Sequence, residues 1–147
     1  MWTLCLNDCQ LGSVEVIFDF FLLQGLMFWS SFADSYSVGG KIEMAWMDGT
    51  SREVLASRNL NGTGSIYWPV ALTYHKDTTT LYWLDVLSQN IDSITLDGSR
   101  KRESRKIGAL YSQSMAVVGD RIYWTDNSKN QIRFADLDSS DFKRFVP

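Results

Sequence analysis

The sequence predicts an all-β chain of about three four-stranded blades, and three observations carry that prediction. Landmarks recur at one offset: Trp83 and Trp124, Ile91 and Ile132, and Asp97 and Asp138 are each 41 residues apart, and a fixed period of this length marks blade-type repeats. The apolar runs are short and bounded by turn residues, with no helical period between them. The 147 residues are 45% hydrophobic and 14% aromatic, with only two prolines and ten glycines. That is enough to fill one core, and unlike a disordered or collagen-like chain.

The elements follow in chain order. Three aromatic segments recur, Leu26-Met27-Phe28-Trp29-Ser30-Ser31, Leu81-Tyr82-Trp83-Leu84-Asp85 and Ile122-Tyr123-Trp124-Thr125-Asp126. Each is followed by an isoleucine-led run, at residues 41–50, 90–99 and 131–140. Trp83 to Asp97 and Trp124 to Asp138 both span 14 residues, whereas Trp29 to Asp48 spans 19. Gly39-Gly40 marks the expected place of the extra loop. The middle unit shows all four strands: an apolar run at 70–75 after Pro69, an aromatic run at 81–85, an alternating run at 91–96 and a charged run at 101–107. Asp48-Gly49 and Asp97-Gly98 suit tight hairpins, because glycine accepts positive φ and the aspartate can bond nearby backbone N–H groups. Two inner strands apolar on both faces and a charged outer strand describe a propeller blade set between neighbours.

Charge and cysteines divide the chain unevenly. Residues 1–40 contain Asp8, Glu15, Asp19 and Asp34 and no Lys or Arg, while residues 41–147 carry all 14 basic residues. The net charge of −3 supplies no bulk field for nucleic acid. The apolar stretch at 14–23 is too short to span a membrane and contains Asp19. It also lacks the positive charge that precedes a signal peptide's apolar run. The expectation is a chain with neither export signal nor anchor of its own. Cys5 and Cys9, spaced C-x3-C, form either a local disulfide or two free thiols, and with one histidine, His75, the chain offers no zinc set.

The recurring residues resemble the YWTD, or class B, repeats of the low-density lipoprotein receptor family. Tyr123-Trp124-Thr125-Asp126 carries the defining motif intact, and Tyr82-Trp83-Leu84-Asp85 matches all but the threonine. Lys41-Ile42-Glu43, Met47-Asp48-Gly49-Thr50-Ser51-Arg52 and Val54-Leu55 look like the third and fourth strands of such a unit. Tyr67-Trp68-Pro69-Val70-Ala71-Leu72-Thr73-Tyr74 resembles its Trp-Pro-Asn-Gly-Leu-Thr opening. WD40 repeats, by contrast, use a Gly-His pair that this chain lacks, and kelch repeats run nearer 50 residues. Departures are Ser30-Ser31 for Thr-Asp, His75 for an aspartate, Val70-Ala71 for Asn-Gly, Ser112 for the proline opening the third unit, and Asn127 where Trp often follows the motif. The resemblance covers residues 25–147, with repeats near 25–68, 69–111 and 112–147. It implies half of a six-bladed ring that would need roughly 250 residues. Residues 1–24 fall outside it. They read either as translated intron sequence, since residues 18–24 can be encoded largely by pyrimidines followed by CAG, or as an apolar strand filling the empty first-strand position.

Catalysis finds no apparatus in the sequence: no Gly-x-Ser-x-Gly elbow, no phosphate loop, and aspartates that recur at turns. The expectation is a non-enzymatic protein with no cofactor and no metal. Tyr82, Trp83, Asp85, Tyr123, Trp124, Thr125, Asp126, Asp48, Gly49, Asp97 and Gly98 are read as structural. Tyr67, Trp68 and Trp46 are the candidate ligand-facing aromatics, because Tyr and Trp are favoured interface anchors. His75 is expected to be a solvated residue at a strand end, and the run from Arg100 to Lys106 a solvated edge. Asn61-Gly62-Thr63 is a glycosylation sequon in a polar loop. The resemblance implies an extracellular propeller of a single-pass plasma-membrane receptor that captures protein ligands for endocytosis. The alternatives are a Wnt co-receptor propeller of the same family and a secreted, nidogen-like matrix adhesion module. Its partners are lipoprotein-associated or Wnt-pathway proteins, and the missing blades come from the rest of a longer chain or from a second copy.

Overall fold

The computed structural model describes residues 14–19, 25–33, 39–58, 66–108, 111–138 and 142–144. Twelve strands and no helix occur among them, arranged as three four-stranded sheets. The chain is an all-β protein of the predicted blade type. It divides into two compact units, Met1–Pro69 and Val70–Pro147.

The first unit holds a meander of β1 (Val14–Asp19), β2 (Leu26–Ala33), β3 (Gly40–Trp46) and β4 (Glu53–Ser57). Consecutive antiparallel neighbours need only short connections, and between β3 and β4 Asp48-Gly49 supplies the turn. β1 pairs with β2 from Val14 opposite Ala33 to Asp19 opposite Phe28. β2 continues past Ser31, where the other copies turn, to Phe32 opposite Gly40, so the longer spacing of the first copy falls in the β2–β3 connection. Gly40 is required by space: a Cβ there would strike the Pro69 ring and lie 2.9 Å from Ile66 Cγ2. Ile42, Ala45, Leu55, Ala56 and Ile66 are buried here.

The second unit holds two further sheets. One is β5 (Pro69–His75), β6 (Thr80–Asp85), β7 (Asn90–Thr95) and β8 (Arg102–Lys106); the other is β9 (Met115–Val118), β10 (Arg121–Asp126), β11 (Gln131–Asp136) and β12 (Phe142–Arg144). β5 and β6 are buried on both faces, while β8 is exposed except at the half-buried Arg102 and Arg105. The 41-residue repeat is visible in the backbone. The Leu96 N–H bonds the Thr79 carbonyl at 2.8 Å, and the Leu137 N–H bonds the Asp120 carbonyl at 2.8 Å. Gln89 and Asn130 close equivalent turns with φ of 59° and 51°. Gly98, at φ +96°, has open space around a would-be Cβ, so its requirement is conformational.

Side chains tie these two sheets together. The Arg105 guanidinium donates to the Asp136 carbonyl at 3.3 Å and the Leu137 carbonyl at 2.9 Å. Arg133 reaches back to the Ile107 carbonyl at 3.2 Å, and the Val117 N–H donates to Thr73 Oγ1 at 3.3 Å. Leu81, Trp83, Leu84, Ile94, Ile122 and Trp124 are all essentially inaccessible to solvent.

Candidate functional site

The motif side chains are committed to holding the sheets. Trp83 and Trp124 are buried, and so are the carboxylates that end their strands, Asp85 and Asp126. Asp85 Oδ1 accepts the N–H groups of Leu87 at 3.1 Å and Ser88 at 3.0 Å, so it closes the β6–β7 turn. Asp126 Oδ1 accepts the Ser128 hydroxyl at 2.6 Å, and its Oδ2 lies 3.5 Å from Arg133. Tyr82, Tyr123 and Thr125 are half-buried on the same strands. Asp48 Oδ1 accepts the Thr50 N–H at 2.8 Å and hydroxyl at 2.7 Å, and Asp97 Oδ1 the Ser99 N–H at 2.9 Å. These bonds hold both carboxyls below the usual range, led in each case by the side chain two residues on, Thr50 or Ser99. Gly49 and Gly98, both at positive φ, complete these hairpins.

The three candidate aromatics separate. Tyr67 and Trp68 lie at one end of the first sheet. There the Gly40 N–H bonds the Ile66 carbonyl at 3.0 Å, and the Trp68 ring sits 5.2 Å from that of Phe32. Trp68 remains 41% exposed. The Arg58 guanidinium lies 5.2 Å from the Tyr67 ring centre, a cation–π distance. Trp46 stands at the other end, opposite Leu26 in the β2–β3 pairing, where the Met47 N–H bonds the Gly25 carbonyl at 2.7 Å. Phe32 and Arg58 complete an aromatic and cationic edge that sequence reasoning did not single out. Phe32 lies outside the repeat motif and Arg58 at the end of an outer strand, so no local pattern marks either one. The edge offers flat apolar area beside a positive charge, which suits a protein or peptide carrying apolar and acidic groups. Among the described residues, no group of three or more His, Cys, Asp or Glu side chains is placed to hold a metal ion.

Two sequence expectations are corrected. His75 is 8% exposed and its Nδ1 lies 2.8 Å from Thr78 Oγ1; it is a buried residue, because the strand that carries it is covered on both faces. The basic run is not simply a solvated edge. Arg105 reaches the neighbouring sheet, and the Arg102 guanidinium lies 5.7 Å from the Trp83 ring centre. Lys101 pairs with Glu103 at 2.6 Å. Asn61, Cys5 and Cys9 lie outside the described residues. No helix among the described residues is long and apolar enough to cross a membrane.

Comparison with known proteins adds relatives to this geometry. The low-density lipoprotein receptor-related protein 5 of Mus musculus is 30% identical over 118 residues, 80% of this chain and 7% of that protein. The vitellogenin receptor of Solenopsis invicta is 30% identical over 110 residues, 75% of this chain and 6% of the receptor. The chain therefore matches a small part of each of these relatives. Among solved structures, a nidogen/laminin complex contains a chain that superimposes with a TM-score of 0.71 at 25% identity, covering 95% of this chain and 49% of that one. A luciferin-regenerating enzyme shares the fold alone, with a TM-score of 0.67 at 10% identity over 90% of this chain and 47% of the enzyme. No protein-family profile matches the chain.

Proposed function

We propose that this chain, a YWTD-type β-propeller segment similar over most of its length to low-density lipoprotein receptor-related proteins, is a non-catalytic, extracellular, ligand-binding part of such a receptor. The observation that carries the reading is the edge formed by Phe32, Arg58, Tyr67 and Trp68. An exposed tryptophan already packed at a tilt against a neighbouring ring loses little rotamer freedom when a partner covers it, and such residues dominate protein interfaces. The motif aspartates support a non-catalytic role, since their oxygens are engaged with turn N–H, hydroxyl and guanidinium groups. The likeness to low-density lipoprotein receptor-related proteins and to a vitellogenin receptor supports lipoprotein-type cargo as the ligand class, taken up by a single-pass receptor. Blades completing the ring come from a longer chain or from a second copy.

A matrix-adhesion reading is favoured by one specific observation, the likeness over 95% of this chain to a component of the nidogen/laminin complex. Binding of three probes to the immobilised chain separates the two. Vitellogenin or low-density lipoprotein binding supports the receptor, and laminin binding supports the matrix module. In either case Trp68→Ala is expected to weaken binding at least about tenfold, as truncation of an interface anchor does. If none of the three binds, or if Trp68→Ala binds as well as the parent, the assignment to this edge is wrong.

A further inference from the structure

One end of the β1–β4 sheet departs from the repeat in a consistent direction. Two residues past Trp83 and Trp124 the strands end on buried carboxylates, Asp85 and Asp126, but two residues past Trp29 stands Ser31. Ten residues past Asp97 comes the buried Ile107, whereas ten residues past Asp48 comes Arg58. At the end of the β5–β8 sheet the cross-strand row is Asp85, Asn90 and Lys106, with one charge of each sign. The corresponding row of the first sheet is Ser31, Lys41 and Ser57, and Arg58 follows it in the chain. The first copy has lost the acid of this row and gained a guanidinium beside it.

Arg58 is held in place without being paired. Its Nη1 is buried and has no hydrogen-bond partner among the described residues. Its guanidinium lies 5.2 Å from the Tyr67 ring centre. Its stem runs along Gly39, which has φ +68°; a Cβ there would lie 2.6 Å from Arg58 Cδ and 2.7 Å from Arg58 Cβ, so glycine is what admits the side chain. Arg58 as a whole is half-buried, shielded from water without being sealed off. A planar fork of N–H donors matches a carboxylate, which can take two of them at once. A buried donor with no acceptor is costly to maintain, so an acceptor arriving with a ligand displaces no internal partner.

We propose that this end of the first sheet selects a carboxylate: Arg58 receives an acidic side chain of a protein ligand, and Trp68 receives an apolar side chain next to it. The proposal rests on the ligand-binding reading of this edge and names the chemistry it selects. Tyr67 and Trp68 are consecutive, so one short ligand segment reaches both positions. The Trp68 ring, tilted on Phe32, is apolar area that a sulfated polysaccharide could not use, which favours a protein ligand.

Binding of a bead-displayed peptide of repeated Asp-Leu pairs to the full chain tests this, beside its Asn-Leu counterpart and with circular dichroism of each variant. The parent chain is expected to bind the Asp-Leu peptide at least about tenfold more tightly than the Asn-Leu peptide. Arg58→Gln is expected to erase that preference. Arg58→Lys is expected to reduce it, because an ammonium keeps the charge without the fork. Trp68→Ala is expected to weaken both peptides and leave the preference in place. A parent chain that binds the two peptides equally, or binds neither, overturns the proposal and needs no variant to do so. A preference that survives Arg58→Gln with the β-sheet signal intact also overturns it. Heparin bound through Arg58 more tightly than the Asp-Leu peptide would assign the site to a polysaccharide instead. If Trp68→Ala weakens binding of low-density lipoprotein, vitellogenin or laminin and Arg58→Gln does not, the edge still binds ligand and only the carboxylate role falls. If none of those proteins binds while the peptide preference holds, the carboxylate site stands and the receptor reading falls.

Discussion

Trp29, Trp83 and Trp124 occupy one repeat position but face different partners across the next strand: Glu43, Asp92 and Arg133. Each ring nevertheless has a guanidinium near its face, from Arg52 at 5.4 Å, Arg102 at 5.7 Å and Arg133 at 5.7 Å. The first site is the most fully bonded. The Trp29 indole N–H donates to Glu43 Oε2 at 3.2 Å, and Arg52 bonds Glu43 Oε1 at 2.9 Å. Asp92 is the least comfortable. Burial pushes its carboxyl above the usual range and the nearby Asp85 adds to the shift, against the Ser104 hydroxyl, Arg102 and the Trp83 indole. A folded-state value above the unfolded one means that the folded chain holds this proton more tightly. The stabilising contribution is therefore full below the ordinary aspartate value of 3.8 and is lost as pH rises through the raised folded value. Asp92→Asn keeps an acceptor while removing the charge. Relative to the parent chain, the variant is expected to gain thermal stability as pH rises from acid to neutral. Parallel melting curves across that range would contradict the assignment.

At the scale of elements, the turns and outer strands carry more than their exposure suggests. Gly49 and Gly98 sit at φ +83° and +96°, followed two residues later by Ser51 and Arg100, both at 53°. One hairpin geometry is thus reproduced from different residues around a shared Asp-Gly. β8 reads as a charged edge, yet its Arg105 supplies two bonds to backbone carbonyls at the end of β11. Hydrogen bonds from a charged group contribute about 1.5–3 kcal/mol, more than neutral ones. Arg105→Ala is expected to destabilise the chain by about 1–3 kcal/mol in urea unfolding. Lys106→Ala, at the exposed end of β8, is expected to change it by less than about 0.5 kcal/mol. Equal losses from both would mean that Arg105 acts through general charge rather than through its carbonyl partners.

At the scale of the whole molecule, stability is tied to which sheet faces are covered, and the face that carries Val118 and Ile132, 65% and 49% exposed, is open. Blade repeats bury their faces against neighbours, so a terminal face left in water forfeits burial that an interior one gains. If a second copy provides that cover, mass action makes folding depend on concentration. The thermal midpoint should then rise by about 2 °C for each tenfold increase in chain concentration. A midpoint independent of concentration would show that the chain is stable with its face uncovered.

The repeat itself was legible in the amino acids alone. Trp83, Ile91 and Asp97 recur 41 residues on, and Asp97-Gly98 announces its hairpin, because turn chemistry and side-chain alternation are set by neighbours a few residues away. The four-strand unit and its blade class followed from these local rules. Tertiary structure decided what depends on residues far apart in the chain. It buried His75, which the sequence places merely at a strand end. It turned Arg105 from an edge charge into a link between sheets, separated Trp46 from Trp68, and brought Phe32 and Arg58 to the edge that Tyr67 and Trp68 occupy. Most tellingly, it gave two isoleucines at one repeat position opposite environments, 5% exposed at Ile91 and 49% at Ile132. Sequence periodicity determines which way a side chain points; only packing determines whether anything stands there to meet it.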